Sequence, residues 1–460
     1  MGFLAGRDVL VAGAGVTGRS VVEALLAAGA SVTVTDASAD RLDALGQLTP
    51  GVALVPGLDA PPAGVDLVVT SPGWRPGGPL FTAAAGAGVE VIGEVELAWR
   101  MGLELADPPA WLAVTGTNGK TTTVGMLESV LHAAGIDAVA CGNVGLPVVD
   151  ALLAGHRVLA VELSSFQLHW SPSVRPFAGV LLNLAEDHLD WHGGFEEYAA
   201  AKAGVLTGEV AVGNADDPVV SRLLSRAPAR TRVGFTLGEP AEGQLGVLDG
   251  QLVDRAFGPG AVLLGVDEVR PTGPPGVADA LAAAALARAH GVPVEAVAAG
   301  LRGFRPGAHR AELVAEVGGV VYVNDSKATN PHAAEASLRA HDSVVWIAGG
   351  LLKGASVEEL VRAQAHRLRG AVLIGADREV IAEALHRRAP SVPLAVLDDA
   401  TMVDAVRAAR SMARPGDAVL LAPAAASMDM FTDYAHRGHA FAEAVRELAV
   451  PPRSGGPSRS

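Results

Sequence analysis

An α/β chain built as three blocks of mainly parallel sheet is the fold class that three features of the sequence predict. Short apolar runs recur from end to end, separated by stretches of helical periodicity. Most of these runs are continuous rather than alternating, which suits strands covered on both faces. Two of them feed glycine-rich turns that open a helix, an arrangement that brings backbone amides onto phosphate groups. At roughly 150 residues per domain, 460 residues also suggest about three domains.

The first block covers residues 1–106. Asp8–Ala12 is a strand, Gly13-Ala-Gly15-Val-Thr-Gly18 is a tight turn, and a helix follows to about Ala28. A second strand, Ser31–Thr35, ends at Asp36, and a third at 66–70 runs into Ser71-Pro72-Gly73. Asp107-Pro108-Pro109 reads as a linker. The second block, 107–303, opens with a buried strand at 110–114 and continues with strands at 158–163 and 178–184. From about 230 to 275 the pattern is short and glycine-rich, and an alanine-rich helix follows at 277–289. Residues 302–306 form the hinge into the third block, 304–450. There strands at 320–323, 343–348, 371–374, 393–397 and Ala418–Leu421 alternate with helices. The polar tail 451–460 is expected to be disordered.

Composition narrows the function classes. Half the residues are hydrophobic, enough for sizeable cores, so the bulk of the chain is not intrinsically disordered. The net charge of -15 excludes a general nucleic-acid or anionic-membrane binder, while leaving room for a local phosphate site. A single cysteine, Cys141, excludes an internal disulfide and any CxxC metal site. The longest uncharged run, 44–58, is too short and too rich in Gly and Pro to span a bilayer. Gly6 stands where a myristoylation signal needs Ser or Thr. A soluble, cytoplasmic protein is expected.

Gly13-x-Gly15-x-x-Gly18 with Asp36 about twenty positions on matches a dinucleotide fingerprint, and predicts a pyrophosphate carrying a ribose-like diol. Gly116-Thr-Asn-Gly119-Lys120-Thr121-Thr122 sits between a buried strand and a helix, as a phosphate loop must. Its backbone amides would cradle phosphates, Lys120 would reach the terminal ones, and the Thr121 hydroxyl would ligate Mg²⁺. The spacing is shorter than GxxxxGK[ST], whose first glycine would fall at Val114.

Glu162 ends the apolar run 158–161, where a carboxylate is costly to desolvate unless a cation lies near; Mg²⁺ on a neighbouring P-loop supplies one. The segment 183–192 carries Glu186, Asp187, His188, Asp190 and His192. Zinc could be argued from the two histidines, but carboxylates dominate and no thiolate is present, which favours Mg²⁺ with one imidazole. Lys202 lies in the apolar helical stripe of Phe195, Tyr198, Ala199, Val205 and Leu206. A lysine there must snorkel, pair, lose its proton or be modified. The third block offers His309-Arg310, Asn324-Asp325-Ser-Lys327-Ala-Thr329-Asn330, Lys353 after Gly349-Gly350, and Ser427-Met428-Asp429. Several follow strand C-termini, the edge where open α/β sheets bind ligands, although helix capping would explain each one singly.

On these residues the chain resembles the Mur ligases, the ATP-dependent amino-acid ligases of peptidoglycan precursor synthesis. The similarity runs from Gly13 to Gly438. Its most specific pieces are residues 116–122, Glu162-Leu-Ser-Ser-Phe-Gln167, 183–188, Lys202, 324–330, and Ser427 through Phe431 to Arg437-Gly438. Within the family the string Ser326-Lys-Ala-Thr-Asn330 is similar to the branch that adds D-glutamate to UDP-N-acetylmuramoyl-L-alanine.

The resemblance implies an N-terminal Rossmann-like domain, a central P-loop ATPase-like parallel sheet and a C-terminal Rossmann-like domain. It implies that ATP phosphorylates the alanyl carboxylate and that the D-glutamate amine attacks the acyl phosphate. By position, Gly116, Thr117, Asn118, Gly119, Lys120, Thr121 and Thr122, with Arg310 and Asp325, are expected on ATP. Thr121 and Glu162 are expected on one Mg²⁺, and His188 with a carbamylated Lys202 on a second. Val16, Thr17, Asp36, Gly73, Asn143, Ser164 and Gln167 would meet the UDP-substrate. Lys327, Thr329, Lys353, Ser427, Met428 and Tyr434 would surround D-glutamate. A monomer is expected, and the charge and hydropathy above predict no nucleic-acid partner and no membrane insertion.

Pro275, Gly276 and Asp279 stand where the family often has His-Asn-x-x-Asn, Leu351 where an Asp is common, and Ser38 where an Arg is. A nicotinamide-dependent oxidoreductase would account for Gly13 to Asp36 and leave the phosphate loop, Glu162, His188 and Lys202 unused. A nucleotide-sugar-binding protein without catalysis would leave the same set without purpose.

Overall fold

Three sheets organise the chain. A computed structural model describes residues 2–49 and 51–449; the tail expected at 451–460 lies outside the described residues. The described chain divides into two compact units, the first carrying two sheets and the second, made of residues 185–187, 271–275 and those from Arg305 onward, the third.

The first sheet is all parallel, in the spatial order Ala53–Leu54, Ser31–Thr35, Asp8–Ala12, Leu67–Thr70, Glu90–Gly93. The order reverses at Asp8–Ala12, the topological switch point of a Rossmann-like sheet, and the glycine-rich turn leaves from its C-terminal end. Gly18 in the helix Val16–Ala27 has to be glycine, because a Cβ there would lie 1.8 Å from the Gly13 carbonyl oxygen.

The second sheet has nine strands. Strand Ala110–Thr115 lies between Val158–Glu162 and Ala178–Leu181, all parallel, with Ala138–Gly142 outside and Val210–Asn214, Thr231–Phe235 and Gln244–Leu248 on the other flank. Gln251–Asp254 and Ala261–Gly265 close that flank antiparallel. The first two sheets share one apolar core, in which Val9, Leu25 and Val34 join Trp111, Val161 and Leu168. The alanine-rich helix Pro274–Ala289 is buried along most of its length, since small side chains let it lie close against the sheet.

The third sheet runs Glu312–Val317, Val320–Asn324, Ala418–Leu421, Val344–Gly349, Leu368–Ile374, Leu394–Val396, parallel except for its first strand. Helix Tyr434–Ala449 packs against that antiparallel edge strand and Val320–Asn324.

The strands expected from apolar runs are present with several ends shifted, among them the start of Leu368–Ile374, three residues earlier than expected. The strand expected over 178–184 stops at Leu181, because Asn183 turns its side chain onto the phosphate loop. The one expected over 158–163 stops at Glu162. Strands Ala53–Leu54, Glu90–Gly93, Ala138–Gly142, Val210–Asn214 and Glu312–Val317 had no counterpart in the sequence reading. Glu312–Val317 carries two glutamates on a half-exposed edge, so it lacks the apolar run that marks a buried strand.

Candidate active site

Register brings the chemistry together. Val114 pairs with Glu162 and Thr115 with Leu181, so three segments leave the C-terminal edge of the second sheet side by side. They are the phosphate loop, the turn at 162–167, and the segment from Asn183 to His188.

The phosphate loop is fixed from several sides. Thr117 and Asn118 donate their amides to the Asn183 carbonyl and side-chain oxygens at 3.0 and 2.9 Å, and Asn183 Nδ2 donates to the Asn118 carbonyl at 3.1 Å. Thr117 Oγ1 meets Tyr198 Oη at 2.8 Å, and Thr115 Oγ1 donates to the Leu163 carbonyl at 2.6 Å. Gly119 adopts φ 87°, and a Cβ there would fall 2.3 Å from Asp279 Oδ1. Helix Lys120–Ala133 then begins without a side-chain cap, so its dipole and first-turn amides are available to an anion. Lys120 Nζ folds back over the loop, donating to the carbonyls of Gly116 and Thr117 at 2.9 and 2.8 Å. Thr121 is half-buried in the first helical turn and Thr122 is buried.

Glu162 is 2% exposed and accepts from Asn143 Nδ2 at 2.9 Å. It forms no ion pair with a Lys, Arg or His among the described residues. An ionised carboxylate desolvated to this degree calls for a cation. The next residues form a capping box: Ser164 Oγ accepts the Gln167 amide, and Gln167 Oε1 accepts the Ser164 amide. These two side chains, expected on the substrate, therefore also hold each other.

His188 takes a left-handed backbone (φ 54°) and starts the one-turn helix Leu189–His192. Its ring centroid lies 4.7 Å from that of Phe166. His192 Nε2 bonds Ser165 Oγ at 2.9 Å. Burial, reinforced by His169, His188 and Lys202, pushes the His192 imidazole down to about 4, so the ring is neutral.

Lys202 does not snorkel. It is 2% exposed, on helix Phe195–Ala203, and its Nζ donates to the Gly116 carbonyl at 2.8 Å and to Thr115 Oγ1 at 3.3 Å. Among the described residues, no three His, Cys, Asp or Glu side chains converge to hold a metal by themselves. The donors expected from sequence, Thr121, Glu162, His188 and Lys202, are a hydroxyl, a carboxylate, an imidazole and a lysine. Such a set fits hard Mg²⁺ completed by phosphate oxygens rather than a self-contained zinc site.

At the edge of the first sheet, Val16 and Thr17 open helix Val16–Ala27, with Val16 exposed, and Gly73 is exposed in the turn after Leu67–Thr70. Asp36 is buried. Its carboxylate accepts the amides of Ala14 at 2.8 Å and Ser38 at 2.9 Å, so it braces the glycine-rich turn.

In the second unit, Lys327 Nζ sits 3.8 Å from the centroid of the Tyr434 ring. Leu351 and Ala426 exchange two backbone bonds, which sets the Lys353 loop beside Ser427. Lys353 has φ 53°, Ser427 is buried and Met428 is exposed. Thr329 donates its amide to the Lys327 carbonyl at 2.8 Å. Arg310 is half-buried. Asp325 accepts from Ser337 Oγ, and burial raises its carboxyl above the usual range against that hydrogen bond.

Four residues had no role assigned from sequence: Asn183, Tyr198, His192 and Arg437. Arg437 is 1% exposed, bonding Ser326 through Oγ and the carbonyl and reaching the Ala425 carbonyl, and burial lowers its guanidinium to about 10. Its presence in the string Arg437-Gly438 was the available signal.

No helix among the described residues is long and apolar enough to cross a membrane. Residues 7–93 match the family model of the N-terminal domain of MurD-like Mur ligases, 114–250 the Mur ligase middle domain, and 309–425 the Mur ligase glutamate ligase domain. The chain is 55% identical to a UDP-N-acetylmuramoylalanine--D-glutamate ligase of Rhodococcus jostii, covering 97% of this chain and 96% of that one. It is 53% identical to the enzyme of that name from Mycolicibacterium smegmatis, with 96% and 97% covered.

Among solved structures, a pseudomurein peptide ligase type C from Methanothermus fervidus superposes with a TM-score of 0.59 at 17% identity, covering 96% of this chain and all of that one. UDP-N-acetylmuramate-alanine ligase from Thermotoga maritima gives 0.56 at 17% identity, with 96% and 99% covered. The solved structures share the fold. Identity above one half along nearly the whole length, with three domain models in sequence order, settles the kinship: the chain belongs to the Mur ligase family.

Proposed function

We propose that the chain is an ATP-dependent amide ligase that adds D-glutamate to UDP-N-acetylmuramoyl-L-alanine, releasing ADP and phosphate, in peptidoglycan precursor synthesis. The observation that carries the chemistry is a phosphate loop with Lys120 and Thr121 whose strand lies in register with buried Glu162. The names of the close relatives carry the choice of amino acid.

In this reading the loop amides of residues 116–122 and the Lys120 ammonium bind the ATP phosphates, with Arg310 on the phosphates and Asp325 on the ribose. Thr121 and Glu162 would hold one Mg²⁺, and His188 with Lys202 a second. Bound there, Mg²⁺ supplies charge neutralisation for phosphoryl transfer. For Lys202 to be a ligand its neutral amine must add to CO₂, forming a C–N bond and losing a proton to give a carbamate.

The UDP end would rest on Val16, Thr17, Asp36 and Gly73, and the muramoyl-alanine on Asn143, Ser164 and Gln167. The alanyl carboxylate oxygen attacks the γ-phosphorus, the bond to ADP breaks, and Lys120 stabilises the charge that develops. The D-glutamate amine then attacks the acyl carbon, the tetrahedral intermediate expels phosphate, and the nitrogen loses a proton.

The two carboxylates of D-glutamate need several donors, which Lys327, Lys353, Thr329 and Ser427 would supply, with Met428 and Tyr434 shaping the site. We divide the work among residues 1–106 for the UDP end, 107–303 for ATP and 304–450 for the amino acid. We place the enzyme in the cytoplasm as a monomer. Hydroxylamine tests the intermediate: with ATP, Mg²⁺ and UDP-substrate but no D-glutamate, an alanyl hydroxamate should accumulate with one ADP per product. ADP formation without hydroxamate would sink the acyl-phosphate route.

A further inference from the structure

His192 lies where three parts of the candidate site meet. Its Nε2 bonds the buried Ser165 hydroxyl at 2.9 Å. Its ring stacks parallel on Phe166 at 5.7 Å and meets Tyr198 edge-on at 5.4 Å. Ser165 and Phe166 directly follow Glu162-Leu-Ser164, the turn read above as the muramoyl contact. Phe166 in turn packs on His188, and Tyr198 Oη bonds the phosphate-loop Thr117.

The turn at 164–167 carries its own capping box, its Gln167 carbonyl accepts from Ser171 Oγ at 2.7 Å, and Thr115 Oγ1 holds the Leu163 carbonyl just before it. Ser165 Oγ has His192 as its hydrogen-bond partner. The His192 amide donates to the His188 carbonyl at 3.2 Å, so the side chain anchors the far end of the turn that begins at His188.

We propose that His192 is a positioning residue for the nucleotide-sugar substrate: through Ser165 and Phe166 it sets the turn at 164–167 against the His188 segment. The inference rests on the ligase reading. Its energetic core is one neutral hydrogen bond, since the ring contacts would survive in a phenylalanine. Removing that bond changes affinity for the substrate that the turn touches, while the phosphate loop keeps its Asn183 bonds and, with the ring contact preserved in a phenylalanine, its Tyr198 bond.

The test is binding of UDP-N-acetylmuramoyl-L-alanine and of ATP to the full chain by calorimetry, in the wild type and in His192→Phe, His192→Gln, Ser165→Ala and the Phe/Ala double variant. His192→Phe and Ser165→Ala should each weaken the nucleotide-sugar about fivefold, the equivalent of one net hydrogen bond. The double variant should be no weaker than either single one, because both remove the same bond. His192→Gln, which restores a polar group near Nε2, should return to within about twofold of the wild type, with ATP affinity constant throughout.

Unchanged nucleotide-sugar affinity in His192→Phe, additive losses in the double variant, or an equal loss for ATP would overturn the role of His192 while leaving the ligase reading in place. A wild type that binds no nucleotide-sugar would overturn the ligase reading and this inference with it. Should either His192 variant fail to fold, Ser165→Ala alone still decides, because it removes the hydroxyl and leaves every ring in place.

Discussion

Lys120 and Lys202 donate to the same oxygen, the carbonyl of Gly116, at 2.9 and 2.8 Å. Their nitrogens therefore lie within two hydrogen-bond lengths of each other, and Lys202 is almost wholly buried. Two ammonium groups so placed repel each other. In the ligase reading proposed above, a carbamate on Lys202 would reverse its sign, turn that repulsion into attraction and add a carboxylate to the proposed Mg²⁺ ligands.

Lys202→Ala should therefore abolish most turnover, and a short carboxylic acid added to the assay should restore part of it by filling the vacated space with a carboxylate. Initial rates with and without the added acid check this. A variant with wild-type rates, or one indifferent to the acid, would remove the carbamate from the account.

Lys120→Ala should cost at least the about 3 kcal/mol typical of losing one preorganised charge-stabilising donor, a fall of roughly a hundredfold or more in kcat. Helix Lys120–Ala133 begins at this residue and its loop is tied to Asn183 and Tyr198, so the fold should survive. Steady-state kinetics with an unchanged unfolding temperature would support the role. A drop of less than tenfold would count against it.

Glu94 gives a pH prediction away from the chemistry. It is 2% exposed and accepts the Val149 amide at 2.7 Å. Burial pushes its carboxyl up to about 7 from 4.5, against the Val148 and Val149 amides and with Asp150 adding to the rise. Between these values the folded protein holds a proton that the unfolded chain has released, so folding is favoured at the acid end and loses stability as pH rises toward 7. Glu94→Gln keeps the acceptor and removes the charge. It should unfold at higher urea than the wild type at pH 8, and the gap should close by pH 5. An equal gap at both pH values would refute the assignment.

The parts of the fold and site that are local in sequence were legible there. The glycine-rich turns, the phosphate loop and the apolar strand leading to Glu162 are contiguous patterns, and each names its own chemistry. Lys202 was legible as a misfit because one helical stripe exposes a misplaced charge.

Contacts across sequence distance were not legible. Tyr198 reaches Thr117 across 81 positions, and Arg437 reaches Ser326 across 111. Nothing in either string says so. Asp36 shows the same limit: its place in the fingerprint was clear, while its use as a brace for the Ala14 and Ser38 amides emerges only from the folded turn. Strand Ala138–Gly142 escaped notice because its run is short and only partly buried.

The proposed ligation consumes ATP only when both acceptor and amino acid are present. Phosphate release from ATP and Mg²⁺ with UDP-N-acetylmuramoyl-L-alanine, measured with D-glutamate, with L-glutamate and with neither, tests it most directly. Sustained release is expected with D-glutamate and not with L-glutamate or with neither. Turnover supported only by another amino acid would contradict the assigned substrate, and no turnover with any amino acid would contradict the ligase itself.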